Sequence, residues 1–263
     1  MVDLLHNDPD TNLTALYGPE HGVRGSAQAG EYVEFYIDEK TGLPVYSLYG
    51  KTRKPTPEML EGIDTLLFDI QDVGTRFYTY IYTMAYAMEA AAENDIEFIV
   101  LDRPNPISGT KVEGPVLESE YKSFVGNYEI PLRHGMTVGE LAKLFNEEFD
   151  IGADLTVVEM NGWKRNMYYE DTGLEFVLPS PNMPTTDTAL VYPGAALIEG
   201  TNVSEGRGTT KPFQLLGAPF INASNLAAHL NEKRFQELSS AQHHSHQCSQ
   251  NMLATYHTAL KFT

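Results

Sequence analysis

The chain has a single cysteine, Cys248, so no disulfide can form within it. No run approaches the ~20 consecutive apolar residues that a membrane span needs. Residues 1–10 carry neither a basic segment nor an apolar one, so no signal peptide is read there. Positive charge is scarce: 18 Lys and Arg face 36 Asp and Glu, for a formal net charge of −18. Nucleic acid and anionic lipid are poor partners for such a surface, since both call for a basic footprint. Also absent are G-x-G-x-x-G after a strand, the phosphate loop G-x-x-x-x-G-K-[ST], the esterase elbow G-x-S-x-G and the zinc motif H-E-x-x-H. Chemistry without a nucleotide, a metal or another cofactor is the expectation.

What is present is an alternation of β-prone and helical segments. Residues 13–17, 45–49, 65–70 and 97–102 read as strands, the last two apolar enough to be buried on both faces. Residues 77–93, free of Gly and Pro, read as a helix between them. A strand–helix–strand unit implies parallel pairing, so the fold class is α/β with a mostly parallel sheet. A second region starts at residue 134, where Thr137 and Glu140 fit a capping box ahead of a helix, followed by a strand over 155–159. Residues 178–219 read as long ordered loops and 222–235 as a helix. The expected division is a first domain over 1–133, a smaller one over 134–235 and a tail over 236–263. The tail holds His243, His244, His246, His257 and Cys248 without the paired spacing of a zinc site, and reads as unstructured or non-native.

Ligands of open α/β sheets bind beyond the carboxyl ends of the strands. Three of the strands end in loaded turns. The first holds Glu20, His21 and Arg24; the second Asp72, Arg76 and Tyr78; the third Asp102, Arg103 and Asn105. Glu20, set between Pro19 and His21, is held by backbone and suits a general acid for glycan hydrolysis, which must protonate the departing oxygen. Capping a turn or pairing with Arg24 explains it equally well. Asp72 is a candidate acid or a first-turn residue favoured by the helix dipole, and Arg76 a carboxylate receptor or a brace. His134 is a candidate base or a loop hydrogen bonder. A further polar loop gathers Glu199, Asn202, Glu205 and Arg207, with Asn182 nearby.

Residues 17–25, 42–50, 68–80, 101–106, 132–142 and 199–210, in this order, resemble the bacterial exo-β-N-acetylmuramidase family, over about residues 1–235. The resemblance implies a Rossmann-like domain joined to a smaller α/β subdomain, with the site in the cleft between them. It implies removal of N-acetylmuramic acid (MurNAc) from the non-reducing end of peptidoglycan fragments such as MurNAc-GlcNAc, without metal or nucleotide, after export from the cytoplasm. The family's proposed catalytic acid falls on Glu20, and the other blocks line the cleft. The second catalytic group stays open among Asp72, Glu199, Glu205, His21 and a tyrosine. Arg76, Arg207 or a neighbouring Arg is expected to meet the lactyl carboxylate that distinguishes MurNAc from GlcNAc. Family members open with a further strand and continue past residue 235 with more sheet, so the chain is expected to be shortened at both ends. A non-catalytic glycan-binding protein and an inactive fragment of the enzyme are the alternatives.

Overall fold

The computed structural model describes residues 1–25, 27–232, 240–246 and 256–262. The chain forms two compact units, Met1–Glu175 with Pro179–Pro181, and Phe176–Leu178 with Asn182–Thr263. In the first unit a short helix α1 (Val2–Asn7) precedes strands β1 (Leu16–Gly18), β2 (Tyr36–Ile37) and β3 (Pro44–Ser47). Their sheet has the order β1-β3-β2, with β1 parallel and β2 antiparallel to β3. Then come β4 (Thr65–Phe68), α2 (Tyr80–Glu93), β5 (Glu97–Leu101), β6 (Glu113–Val116), β7 (Pro131–Arg133), α3 (Val138–Glu148) and β8 (Leu155–Val158). Strands β4, β5 and β8 form one parallel sheet in that order, and β6 pairs antiparallel with β7. The unit is α/β and Rossmann-like, as the strand–helix–strand pattern implies.

The order β4-β5-β8 advances in one direction, so crossovers of the usual hand place α2 and α3 on one face of the sheet. The two helices do pack on each other and on the strands. Leu66, Phe68, Phe98 and Val100 meet Ile81, Met84, Ala85 and Met88 of α2, and Leu141, Ala142 and Phe145 of α3, in a single buried cluster. Fully burying a Leu, Ile, Phe or Met side chain is favourable by about 1.5–3 kcal/mol. The expectation of strands buried on both faces does not hold: burial alternates, and Leu67 is 38% exposed. Apolar runs cannot tell one covered face from two.

The boundary expected at residues 133 and 134 is also corrected, because α3 and β8 complete the first unit's sheet. Thr137 caps α3 as anticipated: its side chain accepts the Glu140 amide while Glu140 accepts the Thr137 amide. The second unit holds α4 (Thr186–Ala195), β9 (Leu215–Ala218), α5 (Ala223–Glu232), β10 (Ser240–His246) and β11 (Tyr256–Phe262), the strands forming an antiparallel sheet in the order β10-β11-β9. Helix α4 lies where loops were expected. Thr185 caps it through the Thr188 amide, and Pro193 sits late in the helix, where a reading by breakers stops short. Strands β10 and β11 likewise replace part of the expected tail, while residues 233–239, 247–255 and 263, Cys248 among them, lie outside the described residues. Among the described residues no helix is long and apolar enough to cross a membrane.

Gly139 gives a sharp test of this packing. Alanine in a helix interior normally stabilises by about 1 kcal/mol relative to glycine. A Cβ at Gly139 would lie 2.7 Å from Val157 Cγ1 and 2.8 Å from Asp102 Cγ. G139A is therefore predicted to lower stability, by about 1–3 kcal/mol in urea unfolding, the reverse of the usual sign.

Candidate active site

Strand β1 ends at Gly18, and the chain turns through Pro19, Glu20, His21 and Gly22, with the Gly22 amide donating to the Pro19 carbonyl. His21 and Gly22 both adopt left-handed backbone, φ 73° each, a conformation that costs a non-glycine residue of order 1 kcal/mol or more. The half-buried Glu20 carboxylate is thereby set against two other segments. Oε1 accepts the Gly30 amide at 3.1 Å, and Oε2 accepts the Thr79 hydroxyl at 2.7 Å. The Tyr49 hydroxyl also donates to Glu20. Burial, and then the charge and hydrogen bond of Glu20, hold the Tyr49 phenol above its ordinary value.

Tyr80, next to Thr79, is buried and donates to the Pro179 carbonyl at 2.7 Å. Its ring lies edge-on to His21 and to Tyr78, at 6.3 and 4.9 Å between centroids. Burial pushes the Tyr80 phenol up; Tyr78 opposes this through a hydrogen bond, and the Glu20 charge adds to it. His21 places Nδ1 2.7 Å from the Ala27 carbonyl. A carbonyl can only accept, so Nδ1 carries the hydrogen and the neutral ring keeps its lone pair on Nε2.

The structure thus brings together Glu20, His21, Tyr49, Thr79 and Tyr80, from the turns after β1, β3 and β4. Strand β1 is not hydrogen-bonded to β4, so a side-chain bond rather than a shared ladder joins the first two loaded turns. The remaining candidates of the first unit are engaged with the protein. Arg24 grips both oxygens of the buried Asp38 at 2.8 and 2.9 Å. Asp72 is buried and accepts the Gly74 amide at 2.7 Å, with His134 Nε2 3.2 Å away. The His134 Nδ1 accepts the Met136 amide, so Nε2 is the protonated nitrogen facing Asp72, though without hydrogen-bond alignment. Arg76 donates to the carbonyls of Pro115 and Ile130, and Tyr78 is buried against Tyr80. Asp102 accepts the Gly139 amide and the Thr137 hydroxyl, Arg103 pairs with Asp69, and Asn105 bonds the Met136 carbonyl and the Ile107 amide. Burial raises the Asp102 carboxyl despite these donors.

In the second unit Arg207 reaches Glu199 and Glu205, each at 2.8 Å, and stands over the Phe213 ring. Burial works against the Arg207 charge, but the two glutamates outweigh it and raise its pKa. Asn202 is exposed and Asn182 half-buried. Sequence reasoning missed Tyr49, Thr79, Tyr80 and Arg53. Arg53 is exposed, its guanidinium 4.0 Å above the Phe124 ring, which in turn lies 5.8 Å from Tyr49. Among the described arginines it is the one whose guanidinium makes no ion pair or hydrogen bond. Among the described residues no cluster of three or more His, Cys, Asp or Glu is placed to hold a metal.

Residues 1–187 match the N-terminal model of the exo-beta-N-acetylmuramidase NamZ, and residues 190–252 match its C-terminal model. The chain belongs to the exo-β-N-acetylmuramidase family. The second match runs into the segment expected to be a non-native tail. Over 230 residues the chain is 71% identical to the peptidoglycan beta-N-acetylmuramidase NamZ of Bacillus subtilis (strain 168), an alignment covering 88% of this chain and 56% of that protein. The chain therefore spans 56% of the length of this relative. Two crystal structures of DUF1343 family proteins from Bacteroides fragilis NCTC 9343 share the fold. One has a TM-score of 0.90 at 47% identity, the other 0.77 at 36%. Both alignments cover all of this chain, and 67% and 66% of those proteins.

The Arg24–Asp38 pair fastens the Glu20 turn to the β2–β3 hairpin. Arg24 and then Thr41 hold the Asp38 carboxyl below its ordinary value, with burial working against them. A carboxyl lowered in the folded state stabilises above its unfolded pKa of about 3.9 and loses that contribution as pH falls through the folded value. The stability gap between the unsubstituted chain and D38N should thus be constant near neutrality and shrink below about pH 4, as acid titration of urea midpoints would show.

Proposed function

We propose that the chain is a glycoside hydrolase that releases MurNAc from the non-reducing end of peptidoglycan fragments such as MurNAc-GlcNAc, working outside the cytoplasm where its substrate lies. The observation that carries this reading is Glu20, a half-buried carboxylate fixed by an amide and two hydroxyls with no cationic partner among the described residues. The 71% identical relative, named a peptidoglycan beta-N-acetylmuramidase, supports it. Glu20 acts as general acid toward the departing glycosidic oxygen. His21, in the same turn and with Nε2 as its basic nitrogen, is the favoured second proton-transfer group. Asp72 is the second choice for that role: its Oδ2 accepts the Gly74 amide and its Oδ1 is buried without a bond to Glu20's partners, Gly30, Thr79 and Tyr49. Arg24, Arg76, Tyr78, Asp102, Arg103 and Asn105 support the turns rather than bind sugar. Asn182, Glu199, Asn202 and Glu205 are the second unit's candidates for contacts to sugar hydroxyls.

The contact to the lactyl carboxylate falls to Arg53 rather than to Arg76 or Arg207. Arg76 is spent on two carbonyls and Arg207 on two glutamates, whereas the Arg53 guanidinium is ordered by Phe124 and keeps its donors for a ligand. An aromatic platform of this kind pre-orders a planar cation without satisfying its hydrogen-bonding edge.

In E20Q, turnover of MurNAc-β-1,4-GlcNAc is predicted to fall by about 10²–10⁴-fold, the usual worth of general acid catalysis. Turnover equal to the unsubstituted chain would sink the reading. In R53Q, binding of MurNAc substrates should weaken by about 1.5–3 kcal/mol, the worth of a hydrogen bond to a charged group, while GlcNAc analogues are unaffected. Equal losses for both sugars would remove Arg53 from the specificity role.

A further inference from the structure

Helix α2 begins without the cap that its sequence supplies. Thr79 immediately precedes the helix, and a threonine there ordinarily accepts an amide hydrogen of the first turn, worth about 1 kcal/mol. Two other threonines of this chain do so: Thr137 accepts the Glu140 amide and Thr185 the Thr188 amide, both from extended backbone. Thr79 makes no such bond, and its backbone is already helical, φ −69° and ψ −17°. Its hydroxyl is given instead to Oε2 of Glu20, 59 residues earlier, at 2.7 Å. Thr79 is buried, so this bond is its alternative to the cap.

We propose that Thr79 is a positioning residue for the proton transfer, fixing the orientation of the Glu20 carboxyl and stabilising the carboxylate that forms; this rests on Glu20 being the general acid. A hydroxyl has one hydrogen, and giving it to Oε2 commits that oxygen as an acceptor. Oε1 accepts the amide of the exposed Gly30, so the two contacts together fix the plane of the carboxyl. A protonated oxygen keeps acceptor capacity and a hydroxyl can also accept, so both contacts survive protonation of the carboxyl. As the glycosidic C–O bond breaks, its electron pair goes to the departing oxygen, which takes the Glu20 proton. Water then supplies hydroxide to the anomeric carbon and a proton to the base, completing hydrolysis. Negative charge develops on Glu20 during the first step, and the Thr79 bond strengthens as it does, because charge-assisted hydrogen bonds are about twice as strong as neutral ones. An interaction that is stronger in the transition state than in the ground state raises kcat rather than lowering KM.

The test compares T79V, T79S and E20Q on two substrates, MurNAc-β-1,4-GlcNAc and para-nitrophenyl β-MurNAc. Para-nitrophenolate leaves as a stable anion and needs little protonation, whereas the sugar alcohol needs it fully. T79V should lower kcat for the disaccharide by about tenfold or more, the rate equivalent of one such bond, with KM little changed. The aryl substrate should be nearly spared, and T79S should recover most of the loss. T79A removes the same hydroxyl with less crowding and carries the same expectation if T79V does not fold. Equal losses on both substrates, no loss on either, or no recovery in T79S would each overturn the proposal. E20Q separates the two levels. If it shows the selective loss and T79V does not, only the Thr79 role fails; if E20Q itself shows no selectivity, Glu20 is not the acid and the reading beneath fails with it.

Discussion

Asp102 is the interaction on which the first unit depends. It stands just past the end of β5 and accepts the Gly139 amide at 2.8 Å and the Thr137 hydroxyl at 3.0 Å, joining the strand end directly to the start of α3. The joint needs a carboxylate in a site that burial makes unfavourable for it, and the helix N-terminus supplies the compensation through its orphan amides and positive dipole end. With α3 anchored, the loop ahead of it is fixed: His134 faces Asp72, and Asn105 holds the Met136 carbonyl. The turn running from Asp72 to Thr79, which reaches Glu20, is thus braced from below by a capping bond at another helix.

The same frame separates supporting charge from chemical charge. Arg24 with Asp38, Arg103 with Asp69, and Arg207 with Glu199 and Glu205 are ion pairs in which each partner stabilises the other. Neutralising one member leaves the other charge without its partner, at a cost that solvent around the partly exposed arginines limits. Glu20 differs in being held by neutral donors alone. Among the described residues no paired cation depends on its charge, which is what the proposed role of general acid asks of the site.

Much of this was legible in the sequence, and the failures are physical. The β4–α2–β5 unit follows from an apolar run, a helix free of breakers and a second apolar run, and the Thr137–Glu140 box marks the start of α3. Glu20 stood out because the residues around it, Gly18, Pro19 and Gly22, leave it no helix or strand to belong to. Thr79 and Tyr80 were hidden by the opposite circumstance: they continue a helical pattern, and nothing local says that a hydroxyl at its edge reaches a residue 59 positions away. Asp72, Asp102, Arg103 and Asn105 have the residue types of a binding site. Their partners are a glycine amide, a helix start, Asp69 and a carbonyl, the last three at distances along the chain that no local pattern shows. Helix α4 was lost to Pro193, and the boundary at 134 to a helix that looked like a fresh start but completes an existing sheet.

The left-handed backbone at His21 also constrains how this turn can drift over generations. With φ at 73°, position 21 admits glycine and the short polar residues that tolerate this region, and rejects valine, isoleucine and threonine whatever their chemistry. Position 20 carries no such geometric filter. Where selection on side-chain chemistry is relaxed, position 20 can therefore vary widely, while residue 21 stays confined to a few types by sterics alone. On the function proposed above, the imidazole at 21 is the poorer marker of activity, and the carboxylate at 20 the informative one.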